Sequence, residues 1–339
     1  MNNPAEKASL RAGARRSHGR FGAPLRAMTL GAAALLSSAA WAQTPIRMLV
    51  GFPPGGGVDP LARIISDAMS PRLSAPIVID NRTGAGGAIA AQALKQAAPD
   101  GNTFMFTMDH QIVVAPYTMK DVGYDVDKDF IPVAQVVSYD LCFGVNSTVK
   151  AATLKDFIEE SKKSSNGINV AIPAPGSVPQ FITFVMNKQS GANFTPVPYR
   201  GGGAAMTDLL GNQVPAAISP CVDFMDRVGR DKGNLRVLAV AGPNRLQWAP
   251  EAPTLSESGF QVDTNFWIGI YAPAKVAEKR LAEVQAALAQ AMADPDLLQR
   301  VRTMGFEPKL RTAKDFGATV KSGGEYWKAT IRESGFTPQ

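Results

Sequence analysis

Residues 46–69, IRMLVGFPPGGGVDPLARIISDAM, leave the backbone few choices. The run Ile46–Val50 is apolar and reads as a buried strand. Pro53, Pro54, Gly55, Gly56 and Gly57 then force a turn. Asp59 and Pro60 follow as an N-cap and a residue pre-set for the first helical position. Leu61, Ile65, Ala68, Met69 and Leu73 recur at helical spacing. A strand, a glycine turn and a capped helix gather free backbone N–H groups at the positive end of a helix dipole. Such a place suits an anion. The unit recurs at once, with residues 77–80 as strand, 81–87 as turn and 88–97 as helix.

Further strands are expected at 103–107, 130–137, 141–145, 168–172, 194–197, 214–219, 235–240 and 265–271. Helices are expected at 153–163, 180–189, 223–230, 276–293, 295–304 and 312–332, with one more ending at Leu210. Strands alternating with helices predict α/β architecture with mostly parallel sheets. Ligands of open α/β sheets sit outside the carboxyl ends of strands, where these glycine turns fall. A single glycine turn is as well explained by a need for positive φ; four of them on successive strand ends favour a site.

Residues 1–42 carry a basic segment, an apolar run and Ala40-Trp41-Ala42, the pattern of a cleaved secretory leader. The apolar run is short for a membrane span. Six of the 35 Lys and Arg and one of the 29 Asp and Glu lie in residues 1–42, so the remainder is close to neutral. No basic stripe interleaved with aromatics remains, which argues against nucleic acid. A dinucleotide fingerprint starting at Gly84 fails because its third glycine would be Ile89. His110 is the only histidine beyond the leader, and no G-x-S-x-G elbow or zinc spacing accompanies it. The rival function is a periplasmic hydrolase or isomerase using Asp109 and His110 as an acid/base pair.

In chain order the GGG turn, Asn81-Arg82-Thr83-Gly84-Ala85-Gly86-Gly87, Ala98-Pro99-Asp100-Gly101, Val197-Pro198-Tyr199-Arg200-Gly201-Gly202 and Asp208-Leu209-Leu210-Gly211 form a joint signature. It resembles the Bug-type solute receptors, the periplasmic binding proteins of tripartite tricarboxylate transporters, over nearly all of the chain after residue 43. The resemblance implies a two-lobed, type II-like Venus flytrap. Residues 43–146 with 265–339 would form lobe one, and 147–264 lobe two. It implies a monomeric periplasmic receptor that closes on a small carboxylated ligand and hands it to an inner-membrane permease, without cofactor, metal or catalysis.

Implied ligand contacts are Phe52, Gly55, Gly56, Val58 and Asp59 in the first turn and Gly84, Ala85, Gly86 and Gly87 in the second. Thr107 and Asp109 complete lobe one. Gly176, Ser177, Tyr199, Gly202, Ser219 and Pro220 come from lobe two. Many relatives have Thr where Val58 stands, which removes a hydroxyl donor here. Asp109 either faces the cleft, favouring a ligand with a donor group, or caps a turn and points away. Arg82 is expected to brace a loop carboxylate, and Phe266 and Trp267 to lie in the core between lobes. Cys142 near the hinge and Cys221 in lobe two are expected as free thiols, since a bridge between lobes would restrain closure.

Overall fold

The computed structural model describes residues 44–56, 58–230 and 234–339. The expected leader lies outside them. Among the described residues no helix is long and apolar enough to cross a membrane.

The first sheet has six strands: β1 (Ile46–Val50), β2 (Ile77–Asn81), β3 (Thr103–Met108), β4 (Phe130–Ser138), β10 (Trp267–Pro273) and β11 (Glu307–Arg311). Their order is β11-β4-β10-β3-β1-β2. β1 runs parallel to β2 and β3, while β10 returns antiparallel between β3 and β4. β3 and β10 are buried along almost their whole length, the pattern of strands covered on both faces.

The second sheet is built from β5 (Leu141–Asn146), β6 (Ile168–Ile172), β7 (Phe194–Pro198), β8 (Ala216–Pro220) and β9 (Leu235–Ala241). Its order is β7-β6-β8-β5-β9, again with one antiparallel strand, β5, inserted beside parallel ones. The two sheets with their flanking helices form the expected two-lobed, type II-like fold.

The helices that follow strands are α1 (Asp59–Met69), α2 (Ala88–Lys95), α3 (Ala115–Thr118), α4 (Val126–Asp129), α5 (Leu154–Lys163), α6 (Val178–Ser190), α7 (Gly202–Leu210) and α8 (Val222–Arg230). Three more, α9 (Glu278–Ala291), α10 (Pro295–Thr303) and α11 (Ala313–Glu333), close the chain. Phe316 of α11 stands edge-on to Trp267, with centroids 4.7 Å apart, and fills the space over Gly269, where a Cβ would lie 2.5 Å from its ring. Phe266 stacks on Trp327. Both aromatics of the 266–267 pair are thus buried core, as expected.

Two expectations change. The chain passes between the sheets before Leu141, not after residue 146, because β5 pairs on both sides with strands of the second sheet. Cys142 therefore belongs to the same lobe as Cys221, and the two form a disulfide, not free thiols. Cys142 lies on β5 opposite Ser219 of antiparallel β8, Cys221 follows directly after β8, and the cysteine Cα atoms are 4.8 Å apart. The bridge lies within one lobe, so the objection that it would restrain closure does not apply. β11 was also not anticipated: Glu307–Arg311 alternates polar and apolar residues too briefly to stand out from the helices around it.

Candidate functional site

The carboxyl ends of β1, β2 and β3 lie side by side, and the turns after them pack on one another. A Cβ on Gly51 would stand 2.7 Å from the Cα of Gly87, so the first and second turns touch backbone to backbone. That contact requires a glycine at 51.

The first turn is held by Asp59. Its buried carboxylate accepts from Gly55 N at 2.9 Å, from Arg63 Nε and Nη2 at 2.9 and 3.0 Å, and from Asn81 Nδ2 at 2.8 Å. Burial alone would raise its pKa; the bonds from Arg63, Gly55 and Asn81 overcome that and lower it. Asp59 is the first helical residue, with Val58 at the N-cap, so the expected cap sits one residue earlier. Gly55 has φ +76°, as a glycine turn demands, and Gly56 N donates to Pro53 O at 2.9 Å. The amides of Gly55 and Gly56 are therefore already bonded within the protein. Val58 is a core residue, 4 % exposed, which explains an apolar side chain at that position. Phe52 packs against the same core, and its carbonyl accepts from Asn81.

The second turn leaves donors uncommitted. Gly84, Gly86 and Gly87 have φ of +124°, +62° and +95°, and Ala85 joins them at +48°. Gly87 N donates to Gly84 O at 2.9 Å, while the amides of Ala85 and Gly86 have no partner among the described residues. Gln111 braces the turn: its Nε2 donates to Gly86 O, and its Oε1 accepts from Thr107 Oγ1 at 3.0 Å. Thr107 is thus buried support. Arg82 pairs with Asp80 at 2.9 Å, the bracing role expected of it.

Asp109 and His110 divide differently from the acid/base pair considered above. Asp109 is 1 % exposed and turned inward, its Oδ1 accepting from His110 N and from Tyr139 Oη, both at 2.7 Å. It caps the π-helical turn His110–Val114, the second of its two expected orientations. Burial pushes its pKa up to about 7 despite the Tyr139 and His110 bonds, with the charge of Asp263 adding to the rise. His110 points at the second turn instead: a Cβ on Gly86 would stand 3.3 Å from its Nε2. Burial pushes the imidazole down to about 4, so the ring is neutral near pH 7.

On the second sheet, Gly201 has φ +100° and opens α7, whose first amides at Gly202, Gly203 and Ala204 have no partner among the described residues. Ser219 Oγ donates to Asp223 Oδ2 at 2.5 Å. A Cβ on Gly202 would stand 2.4 Å from the same Oδ2, so Asp223 lies against this turn. Burial raises the Asp223 pKa, offset in part by Ser219 and Arg227. Tyr199 Oη donates to Asp208 on α7 at 2.9 Å, and Pro220 ends β8. Gly176 N donates to Gln180 Oε1 at 2.8 Å, and Ser177 Oγ to Ala174 O at 2.6 Å. A Cβ on Gly176 would meet Thr118, so this turn is packed against the other lobe.

The geometry thus separates turns that offer donors from residues that hold them in place. Asn81, Gln111, His110 and Asp223 were not among the expected contacts. Asn81 stood inside the quoted motif and His110 was notable as the lone histidine beyond the leader; Gln111 and Asp223 carry no signal at sequence level.

Residues 61–336 match the family model described as "Tripartite tricarboxylate transporter family receptor". BugT of Bordetella pertussis is 29 % identical over 309 residues, covering 91 % of this chain and 94 % of that protein. A solved periplasmic transporter superposes with a TM-score of 0.78 at 29 % identity, over 88 % of this chain and 99 % of its own. MatC of Rhodopseudomonas palustris, solved with bound malate, gives a TM-score of 0.73 at 28 % identity, over 85 % of this chain and 98 % of its own.

Proposed function

Because the chain belongs to the tripartite tricarboxylate transporter receptor family, we propose that it captures a small carboxylated organic molecule between its two lobes. The ligand is then delivered to inner-membrane permease subunits of that transporter class. The receptor works in the periplasm, reached through the leader at residues 1–42, and releases its ligand chemically unchanged.

One observation carries this reading. Uncommitted backbone donors stand at strand ends in both lobes, at Ala85 and Gly86 on one side and at Gly202, Gly203 and Ala204 on the other. A carboxylate supplies the acceptors these groups lack, through charge-assisted bonds. A ligand that bonds to both sets binds the closed form better than the open one, and that differential affinity drives closure. The malate found in MatC is a ligand of this chemical class. Support from Asp59, Thr107 and Gln111 keeps the lobe-one turns in place before the ligand arrives.

The hydrolase or isomerase reading is not favoured, since Asp109 is engaged by Tyr139 and turned away from the Gly86 turn that His110 faces. The test is calorimetric titration with dicarboxylates, monocarboxylates and their uncharged amides. Carboxylates binding with amides silent supports the proposal; equal binding of amides sinks it.

A further inference from the structure

We propose that His110 is a ligand-selecting residue of this receptor, donating from Nε2 to a carboxylate oxygen already held by the amides of Ala85 and Gly86. The inference rests on the receptor reading above and adds to it a named side chain.

Three features of the second turn lead there. Gln111 takes up the Gly86 carbonyl, so the uncommitted groups of the turn at Ala85 and Gly86 are N–H donors. His110 Nε2 stands 3.3 Å from the place a Gly86 Cβ would occupy, which puts the ring edge beside those donors. Neither ring nitrogen has a hydrogen-bond partner among the described residues, and neither is counted among the fully enclosed polar atoms left without one. The imidazole is therefore largely buried, yet unengaged and not fully enclosed, beside the turn.

Its neighbour explains why the ring is uncommitted. The Asp109 carboxyl would ordinarily be the nearest acceptor, but it is turned inward to Tyr139 and to the backbone of His110. A neutral imidazole supplies one N–H donor without placing a fixed positive charge in the cleft. With two amides it makes a three-donor cradle that fits an anionic oxygen and rejects an uncharged amide nitrogen, which would bring hydrogens against hydrogens.

The test compares wild type, His110→Gln and His110→Phe by titration with a straight-chain dicarboxylate series and the matching monoamides. Glutamine restores a donor near the Nε2 position; phenylalanine keeps the ring and removes the donor. Losing one hydrogen bond to a charged group is expected to weaken the best dicarboxylate about tenfold to a hundredfold in His110→Phe, with His110→Gln far less affected. The preference for dicarboxylate over monoamide should shrink in His110→Phe, and the thermal midpoints of the three unliganded proteins should agree. If His110→Phe binds as wild type does, or His110→Gln fails as badly as His110→Phe, His110 is not the donor, although the receptor reading stands. If wild type binds no carboxylate at all, the receptor reading fails and this inference falls with it.

Discussion

Tyr139 Oη donates to Asp109 Oδ1 at 2.7 Å, tying the carboxyl end of β3 to the stretch that carries the chain from the first sheet to the second. Tyr139 lies one residue past the end of β4, its ring beside Phe266 at 5.6 Å. The turn that presents His110 and the crossing between lobes therefore share one buried hydrogen bond.

That bond sets a pH prediction. Folded Asp109 titrates near 7 against an ordinary 3.8, so between those values the folded protein binds more protons than the unfolded chain. Stability from this group is fully present below about pH 4 and is lost as pH rises through 7. His110, lowered from 6.5 to about 4, acts in the opposite direction and largely cancels the slope between pH 4 and 6.5. Asp109→Asn removes only the first effect. Relative to wild type the variant should gain stability from pH 4 to pH 8, by on the order of 4 kcal/mol. Urea unfolding of both proteins at the two pH values measures it; a difference that does not change with pH contradicts it.

Glycine substitutions in the turns should separate strain from crowding. Gly55 has φ +76° with nothing near the Cβ position, so Gly55→Ala should cost only about 1–2 kcal/mol of stability. Gly87 has φ +95°, and a Cβ there would lie 2.5 Å from Gln111 Nε2. Gly87→Ala should cost more than Gly55→Ala and also displace Gln111 from Gly86, so ligand affinity should fall with it. Thermal melts paired with titration check both; Gly87→Ala that binds normally would show that the second turn is not the anion cradle.

The Cys142–Cys221 disulfide should stabilise one lobe without touching ligand exchange. It spans 79 positions of sequence, and replacing both cysteines by serine should cost about 2–4 kcal/mol. Because the bridge joins β5 to the turn after its neighbour β8, within one lobe, dissociation constants and ligand off-rates should stay as in wild type. A changed off-rate would mean that the bridge influences closure after all.

The strand–turn–helix rhythm was legible because period and glycine placement are local. β1, β4 and β6 fall where the apolar runs put them, and the helix expected at 153–163 begins at a capping box of Thr153 and Asp156. Strand partners are not local, which is why the sequence places β5 with the first lobe and leaves the two cysteines unpaired. Roles within the site were harder still. Asp59 looked like a cap or a ligand contact, yet three internal donor groups consume its carboxylate. Asp109 and His110 are adjacent, and only the folded backbone decides that the first turns inward and the second faces Gly86.

The most direct measurement is mass spectrometry of the small molecule released on denaturing protein purified from periplasmic extract without ligand exchange. A carboxylated organic molecule, in about equimolar amount and recovered unchanged when added back to the protein, is the predicted result. A molecule lacking any carboxylate, or one converted on re-addition, would contradict a receptor that holds carboxylates between its lobes and performs no chemistry on them.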